Sequence, residues 1–430
     1  YDDVNLFVEP ASFLSKVKSK QDSYSFVDSV MATPLPTYGF DYSLVRNPDI
    51  DTAYNALITY VIPGSPAAQA GLERGDWIMK VDTSYISKKY ETYLLQGTKA
   101  VELTLGEWKE VEIEDEEDGN EGGDGEDEGP TMEYRVVPID EPVEMPAARI
   151  VEDNPVHKYE IIESPVKNIK VGYLMYNSFT AGTKAEPEKY NNELRSVSQK
   201  FKEAGVQAVI LDLRYNEGGS MDCVQLLGTI LTSAERLGEP MAYLEYNDKN
   251  TDKDATILFG TDREINLDLH SLIAITSGTT MGAPEMLIRS LFLEDTYPIA
   301  TVGSSTKGQN VATEQFINEE FLWSVNPVVC TVYNSQHDTY GTISPATDLK
   351  VSETTIDGST NYSEFLPFGT FDKDGKSERL LKIAIGVLDG TYPPKDDETP
   401  EESTTQTRFK VEKSVSSPAS RRFSSKGLRL

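Results

Sequence analysis

Residues 206–219, VQAVILDLRYNEGG, carry the reading on which the fold turns. The stretch 206–213 is apolar apart from Gln207 and Asp212, the texture of a strand buried on both faces. Arg214-Tyr215-Asn216-Glu217-Gly218-Gly219 then breaks into a glycine turn. Upstream, Tyr190, Leu194, Val197, Phe201 and Ala204 recur at steps of four, three, four and three, which predicts a helix with one apolar stripe. Gly205 ends it. A second helix is expected over 221–231. Strand-like runs at 170–179 (KVGYLMYNSF) and 272–276, a helix over 284–293 and a last one marked by Leu380, Leu381, Ala384, Val387 and Leu388 continue the alternation. Strands of this kind imply an α/β unit whose sheet is covered on both sides.

The texture differs from Tyr38 to about Gly106, where short strands alternate with turn signals. Residues 55–62 (NALITYVI) read as a strand closed by the turn Pro63-Gly64-Ser65-Pro66. The run from Gly64 to Ile78 (GSPAAQAGLERGDWI) resembles the core signature of a PDZ domain. Ser65 can cap a short helix whose first turn holds Pro66. Gly71 supplies a left-handed stop, and Gly75-Asp76 turns into a strand over 77–81. Upstream, Thr37-Tyr38-Gly39-Phe40 resembles the carboxylate-binding loop of such domains. Its glycine lets successive backbone N–H groups converge on a terminal carboxylate while Tyr38 and Phe40 line a pocket. The resemblance implies a module that adds an extended peptide to a sheet edge and reads its C-terminus.

The turn Asp212 to Gly219, with the strand and helix before it, closely resembles that of the C-terminal-processing (tail-specific) serine peptidases. That family implies a crotonase-like αβ core preceded by a small, mainly-β PDZ domain, here behind a short N-terminal helical segment. It also implies a serine–lysine dyad without metal or other cofactor, and a bacterial envelope location, periplasmic or at the surface. Its oxyanion hole maps onto Gly218, Gly219 and Ala283, where glycine lets backbone approach a scissile carbonyl. The nucleophile motif maps onto Thr280-Met281-Gly282-Ala283-Pro284-Glu285, and anchoring on Glu285 puts Gly282 at the serine position. The lysine motif maps onto Thr306-Lys307-Gly308-Gln309 and puts Gln309 at the lysine position. Glycine has no oxygen to attack with, and glutamine has no titrating group near neutrality. The expectation is therefore a silent homologue that still binds polypeptide C-termini. The alternative is an active enzyme with a displaced dyad, Thr280 and Lys307, each two residues before the expected position and keeping the spacing of 27.

On these readings the chain divides into an N-terminal helical segment (1–35), a PDZ-like peptide-binding domain (36–147) with an acidic insertion at about 110–129, a linker (148–168), a peptidase-like core (169–392) and a polar, then basic, tail (393–430). The insertion, EVEIEDEEDGNEGGDGEDE at 110–128, holds twelve acidic residues and no base, and reads as a solvated excursion from a hairpin. Between Arg408 and Leu430, seven Lys/Arg face one Glu. This stretch is either a disordered tail or returns to the sheet through Phe423 and Leu428. A net charge of −31 repels phosphate backbones and excludes nucleic acid as a favoured partner. Cys223 and Cys330 sit in apolar runs and read as buried hydrophobes, a single disulfide being the other reading. His157, His270 and His337 lack metal-ligand spacing, and 303–309 has the glycines of a phosphate loop but Gln309 where lysine is needed. The first residue, Tyr1, implies that any leader has been removed, and the resemblance leaves room for a lipid anchor upstream.

Overall fold

In the computed structural model, the described residues are 9–29, 35–113, 131–318, 320, 323–356, 359–361, 365–393, 408–416 and 426–430. The strand Val206–Asp212 lies at the centre of a five-stranded sheet ordered Ile299–Gly303, Leu272–Thr276, Val206–Asp212, Lys170–Tyr176, Val156–Glu163. The first four run parallel and the last antiparallel. One face is covered by Leu194, Val197 and Phe201 of the helix Lys189–Ala204, together with the helices Met221–Leu231 and Ala283–Leu291. The other packs on Leu380, Leu381 and Ala384 of the helix Arg379–Asp389. Two-sided cover is why these strands read as unbroken apolar runs. Gly205 adopts φ 75° as the left-handed stop of its helix.

The PDZ-like module is a sheet ordered Val411–Val415, Phe40–Arg46, Tyr54–Val61, Trp77–Val81, Val101–Ile113, Thr131–Pro138. Ser65 caps the helix Pro66–Gln69 by accepting the Ala68 N–H at 3.1 Å, and Gly71 turns out of it at φ 80°. The hairpin Val101–Ile113 with Thr131–Pro138 closes on the pair Ile113 and Thr131. The acidic excursion therefore leaves from a hairpin, although its residues 114–130 lie outside the described ones. A third sheet is ordered Gly218–Ser220, Gly427–Arg429, Val311–Thr313, Val328–Tyr333, Pro240–Tyr246, Ala255–Leu258.

Three expectations need correction. The helical segment 1–35 contains the helix Pro10–Val17, but Phe26–Ser29 is a strand paired with Trp323–Asn326, because a distant partner supplies its backbone hydrogen bonds. Within the expected linker 148–168, Val156–Glu163 is the edge strand of the central sheet; its charged residues Lys158, Glu160 and Glu163, with Pro155 and Pro165 flanking it, mark an edge that solvent can reach. The tail 393–430 is not wholly free: Arg408–Phe409, Val411–Val415 and Gly427–Arg429 each pair as strands. Leu428 does return to a sheet, whereas Phe423 lies outside the described residues.

A buried guanidinium ties the two units together. Arg214 is fully buried and reaches Asp212 at 2.6 Å, Glu378 at 2.8 Å and Glu353 at 3.2 Å. Arg74 of the PDZ-like module meets the same Glu353 at 3.0 Å. Burial would raise the Glu378 carboxyl, but Arg214, Arg74 and the Leu381 N–H hold it below its ordinary value. Burial lifts Asp212 in spite of the same guanidinium. Stability contributed by a depressed carboxylate is present above its unfolded pKa and is lost as pH falls through the folded one. Glu378→Gln should therefore cost about 3 kcal/mol at neutral pH by urea unfolding, and its stability should fall less steeply than wild type below about pH 4.

Candidate active-site cleft

Three segments that carry the expected site residues converge in the peptidase-like core. The first is the glycine turn after the central strand. Asn216 is fully buried there; its Nδ2 donates to the Tyr176 carbonyl at 2.8 Å and its Oδ1 accepts the Gly218 N–H at 2.9 Å. The second is the start of the helix Ala283–Leu291, with Gly282 as its N-cap at φ 71°. The third is the Thr306–Gln309 loop. Glu285, fully buried, joins the last two. Its Oε2 accepts the Gly282 N–H at 2.8 Å and the Gln309 N–H at 2.9 Å, while Oε1 accepts the Gly308 N–H at 2.5 Å and the Thr306 hydroxyl. One carboxylate oxygen thus holds the backbones of Gly282 and Gln309 together.

The space between them is filled by the chain itself. The strand Gly427–Arg429 runs parallel to Gly218–Ser220 on one side and pairs with Val311–Thr313 on the other. The Gly427 N–H donates to the Glu217 carbonyl at 2.7 Å, and the Leu430 N–H to Thr313 at 3.0 Å. A Cβ at Gly218 would stand 1.8 Å from the Gly427 carbonyl oxygen, and one at Gly282 would stand 2.4 Å from its carbonyl carbon. Real Cβ atoms do not approach so closely, so glycine is required at both positions while this strand is seated. The Gln309 amide packs against Gly427 from the third side, its Nε2 donating to the Val311 carbonyl at 3.1 Å. Its Oε1 is buried without a hydrogen-bond partner among the described residues.

Of the proposed oxyanion-hole residues, the structure places Gly218 and Gly219 beside Gly427 and Leu428, and Ala283 at the first turn of its helix with no exposure. The Gly218 N–H is already given to Asn216, as described above. The backbones of the alternative pair do meet, the Lys307 N–H donating to the Thr280 carbonyl at 3.1 Å, but their side chains are not paired as base and nucleophile. The Thr280 hydroxyl is buried, donates to the Leu213 carbonyl at 2.9 Å and accepts the Ser277 N–H at 3.0 Å, whereas Lys307 is exposed. Cys223 and Cys330 are free and buried, and burial pushes each thiol up to about 11, away from thiolate chemistry at neutral pH.

In the PDZ-like module, Gly39 turns at φ 85° and its N–H donates to Thr37 Oγ1 at 3.0 Å. Tyr38 and Phe40, expected to line a pocket, are 2% and 4% exposed and belong to the module's core. The strand Phe40–Arg46 that follows this turn is paired with Tyr54–Val61 on one side and Val411–Val415 on the other. A cavity of about 580 Å³ separates this strand from the glycine turn, lined by Asp41, Tyr60, Arg74, Tyr215, Glu217 and Val415 among others. The occupying residues, Gly427 and Val411–Val415, were not singled out by sequence reasoning. Leu428 carried the one usable signal, an apolar residue late in a basic stretch.

An α/β peptidase-type core whose central strand ends in a glycine turn, joined to a PDZ-type module, defines the class of protein. Comparison with known proteins narrows it. The peptidase family S41 profile matches residues 170–325, and a PDZ-domain profile matches residues 57–104. A crystallised chain from Bacteroides fragilis NCTC 9343 assigned to the S41 proteases is 39% identical, over 89% of this chain and 91% of that chain, with a TM-score of 0.74. A photosystem II D1 C-terminal processing protease is 16% identical over 80% of each chain, TM-score 0.40. A lipoprotein from Streptococcus agalactiae is 18% identical over 44% of this chain and 63% of that one, TM-score 0.34. No curated protein matches. The chain belongs to peptidase family S41.

If Gly282 is glycine because Gly427 lies against it, the cost of a side chain there depends on that strand. Gly282→Ser should destabilise the full chain, and a double-mutant cycle with deletion of residues 426–430 should return a coupling above about 1 kcal/mol. Denaturant midpoints of the four proteins measure it.

Proposed function

We propose that this protein is a catalytically silent S41 peptidase homologue that binds polypeptide C-termini through its PDZ module. The observation that carries the reading is the composition of the cleft. The position for a nucleophile is Gly282, the position for a base is Gln309, and the gap between them holds the Gly427 backbone. A hydroxyl attacks a carbonyl only when a base takes its proton, and a lysine serves only when it is held unprotonated beside it. Neither group stands at these positions. The helix start and the glycine turn persist, so the frame is retained while the reacting atoms are gone. Supporting the peptide-binding half are the PDZ match and the strand edge Phe40–Arg46, whose backbone can pair with an extended ligand. Location in the bacterial cell envelope, behind a lipid anchor, belongs to the same reading and rests on the family resemblance.

The active alternative asks Thr280 and Lys307 to do the chemistry. Against it stand the two bonds that hold the Thr280 hydroxyl and the solvent-facing position of Lys307. A two-residue displacement also moves a side chain by about 6–7 Å along extended backbone, far from the original geometry.

Purified wild-type protein should bind labelled C-terminal peptides yet leave them uncut from pH 5 to 9 by mass spectrometry. Hydrolysis that vanishes in Thr280→Ala or Lys307→Ala would establish the displaced dyad instead. Thr280→Ala is expected to cost about 1–2 kcal/mol of stability, because it strips a buried carbonyl of its donor.

A further inference from the structure

The strand Val411–Val415 lies along the outer side of Phe40–Arg46, antiparallel to it, with Tyr42 opposite Val415 and Leu44 opposite Lys413. This is the strand that follows the Thr37–Phe40 turn, so the chain's own residues sit where a PDZ-type module pairs with an extended peptide. The fit is ligand-like. Val411 and Val415 are half-buried, and Val415 packs on the module's core; Glu412, Lys413 and Ser414 are exposed. Lys413 reaches across to Glu91 on the helix Glu91–Leu95, an acid that is only 2% exposed. The second oxygen of that carboxylate is buried without a partner among the described residues. Ser414 Oγ meets Ser43 Oγ at 2.9 Å, and Glu412 meets Lys88 at 3.3 Å.

The two ends of this stretch are held very differently. Gly427–Arg429 is sandwiched between two strands, and Leu428 is 1% exposed. Val411–Val415 pairs on one side with Phe40–Arg46, has no fully buried side chain, and carries ion pairs whose lysines are half exposed or more. The Lys88–Glu412 pair is solvent-exposed and contributes little, whereas Lys413 is the partner of a buried carboxylate. The segment is also tethered at both ends: Arg408–Phe409 pairs with Ser359–Asn361 and Phe409 packs on Trp77 and Trp108, while residues 427–429 are anchored in their own sheet, so it meets the groove at an effective concentration in the millimolar range.

We propose that the Phe40–Arg46 edge is a peptide-binding site whose resident occupant in the free protein is residues 411–415 of the same chain. The partner that displaces them is an extended segment of the same chemistry. It carries a small aliphatic residue at the place of Val415 and a cation two residues earlier, facing Glu91. This rests on the peptide-binding reading above and adds to it the identity of the resident strand and the residues that select its replacement.

The test is fluorescence anisotropy with a labelled peptide of residues 408–416, RFKVEKSVS, titrated with the full-length protein. Two forms with a weakened resident strand are compared with wild type: Val411→Asp/Val415→Asp, and the milder Lys413→Glu, which places like charge against Glu91. Both leave Gly427–Arg429 untouched. Each should bind the peptide at least about tenfold more tightly than wild type, because the tethered competitor is gone. Substituting glutamate for the peptide's second lysine, or Glu91→Gln in the protein, should remove most of the gain. If the variants bind the peptide no better than wild type while all three bind other C-terminal peptides, the resident-strand proposal fails and the peptide-binding reading stands. If folded wild type and variants bind no peptide at all, both fail. If the glutamate peptide binds as well as the native one, the assigned role of Glu91 is wrong.

Discussion

Three backbone segments meet at Gly427 at distances that no side chain permits, and the organisation of the cleft follows from that contact. Gly218 presents its Cα to the Gly427 carbonyl oxygen, Gly282 to the carbonyl carbon, and the Gln309 amide closes the third side. Glycine at 282 is therefore a steric requirement of the occupant. Gly427 itself sits at φ 73°, a left-handed backbone that favours glycine, and a Cβ there would have to displace the Gln309 amide. Glycine at 218 and 282 and the seating of the Gly427–Arg429 strand are two descriptions of one packing arrangement.

Two buried charged groups keep this arrangement in register. Glu285 collects three N–H groups and a hydroxyl from the helix start and the Thr306–Gln309 loop. The relative positions of 282 and 309 thus do not depend on what side chains they bear. Arg214, two residues before Asn216, fixes the end of the central strand to the helix Arg379–Asp389 through Glu378. Through Glu353 it also fixes that end to Arg74 of the PDZ module. The glycine turn is consequently stiff, and the route from the module's strand edge to the cleft runs along a cavity lined by both units.

Elements dictated by local pattern were legible in the sequence. The four-three repeat of Tyr190, Leu194, Val197, Phe201 and Ala204 announced its helix, and the apolar run 206–213 announced a strand covered on both faces. Ser65 and Gly71 announced the ends of a single-turn helix through capping chemistry. The nearness of residues 282 and 309, which the sequence motifs place in two separate segments, is supplied by Glu285, whose carboxylate accepts an N–H from each. Elements stabilised by distant partners were not legible. Phe26–Ser29 and Val156–Glu163 are strands because Trp323–Asn326 and Lys170–Tyr176 accept and donate to them. Residues 411–415 and 427–429 look like a polar, basic tail, and only the edges waiting for them make them strands. The pocket expected of Tyr38 and Phe40 failed for a related reason: both rings are needed to complete the small core of the module.

The central claim is that backbone, rather than water or substrate, fills the gap between Gly282 and Gln309. Native-state hydrogen exchange at the amides of Gly427 and Leu430 tests it most directly, since their acceptors are the Glu217 and Thr313 carbonyls. Seated as described, both amides exchange slowly, with protection approaching that of the central strand. Exchange at the rate of an unstructured peptide would mean that the cleft is open, and the account would be wrong.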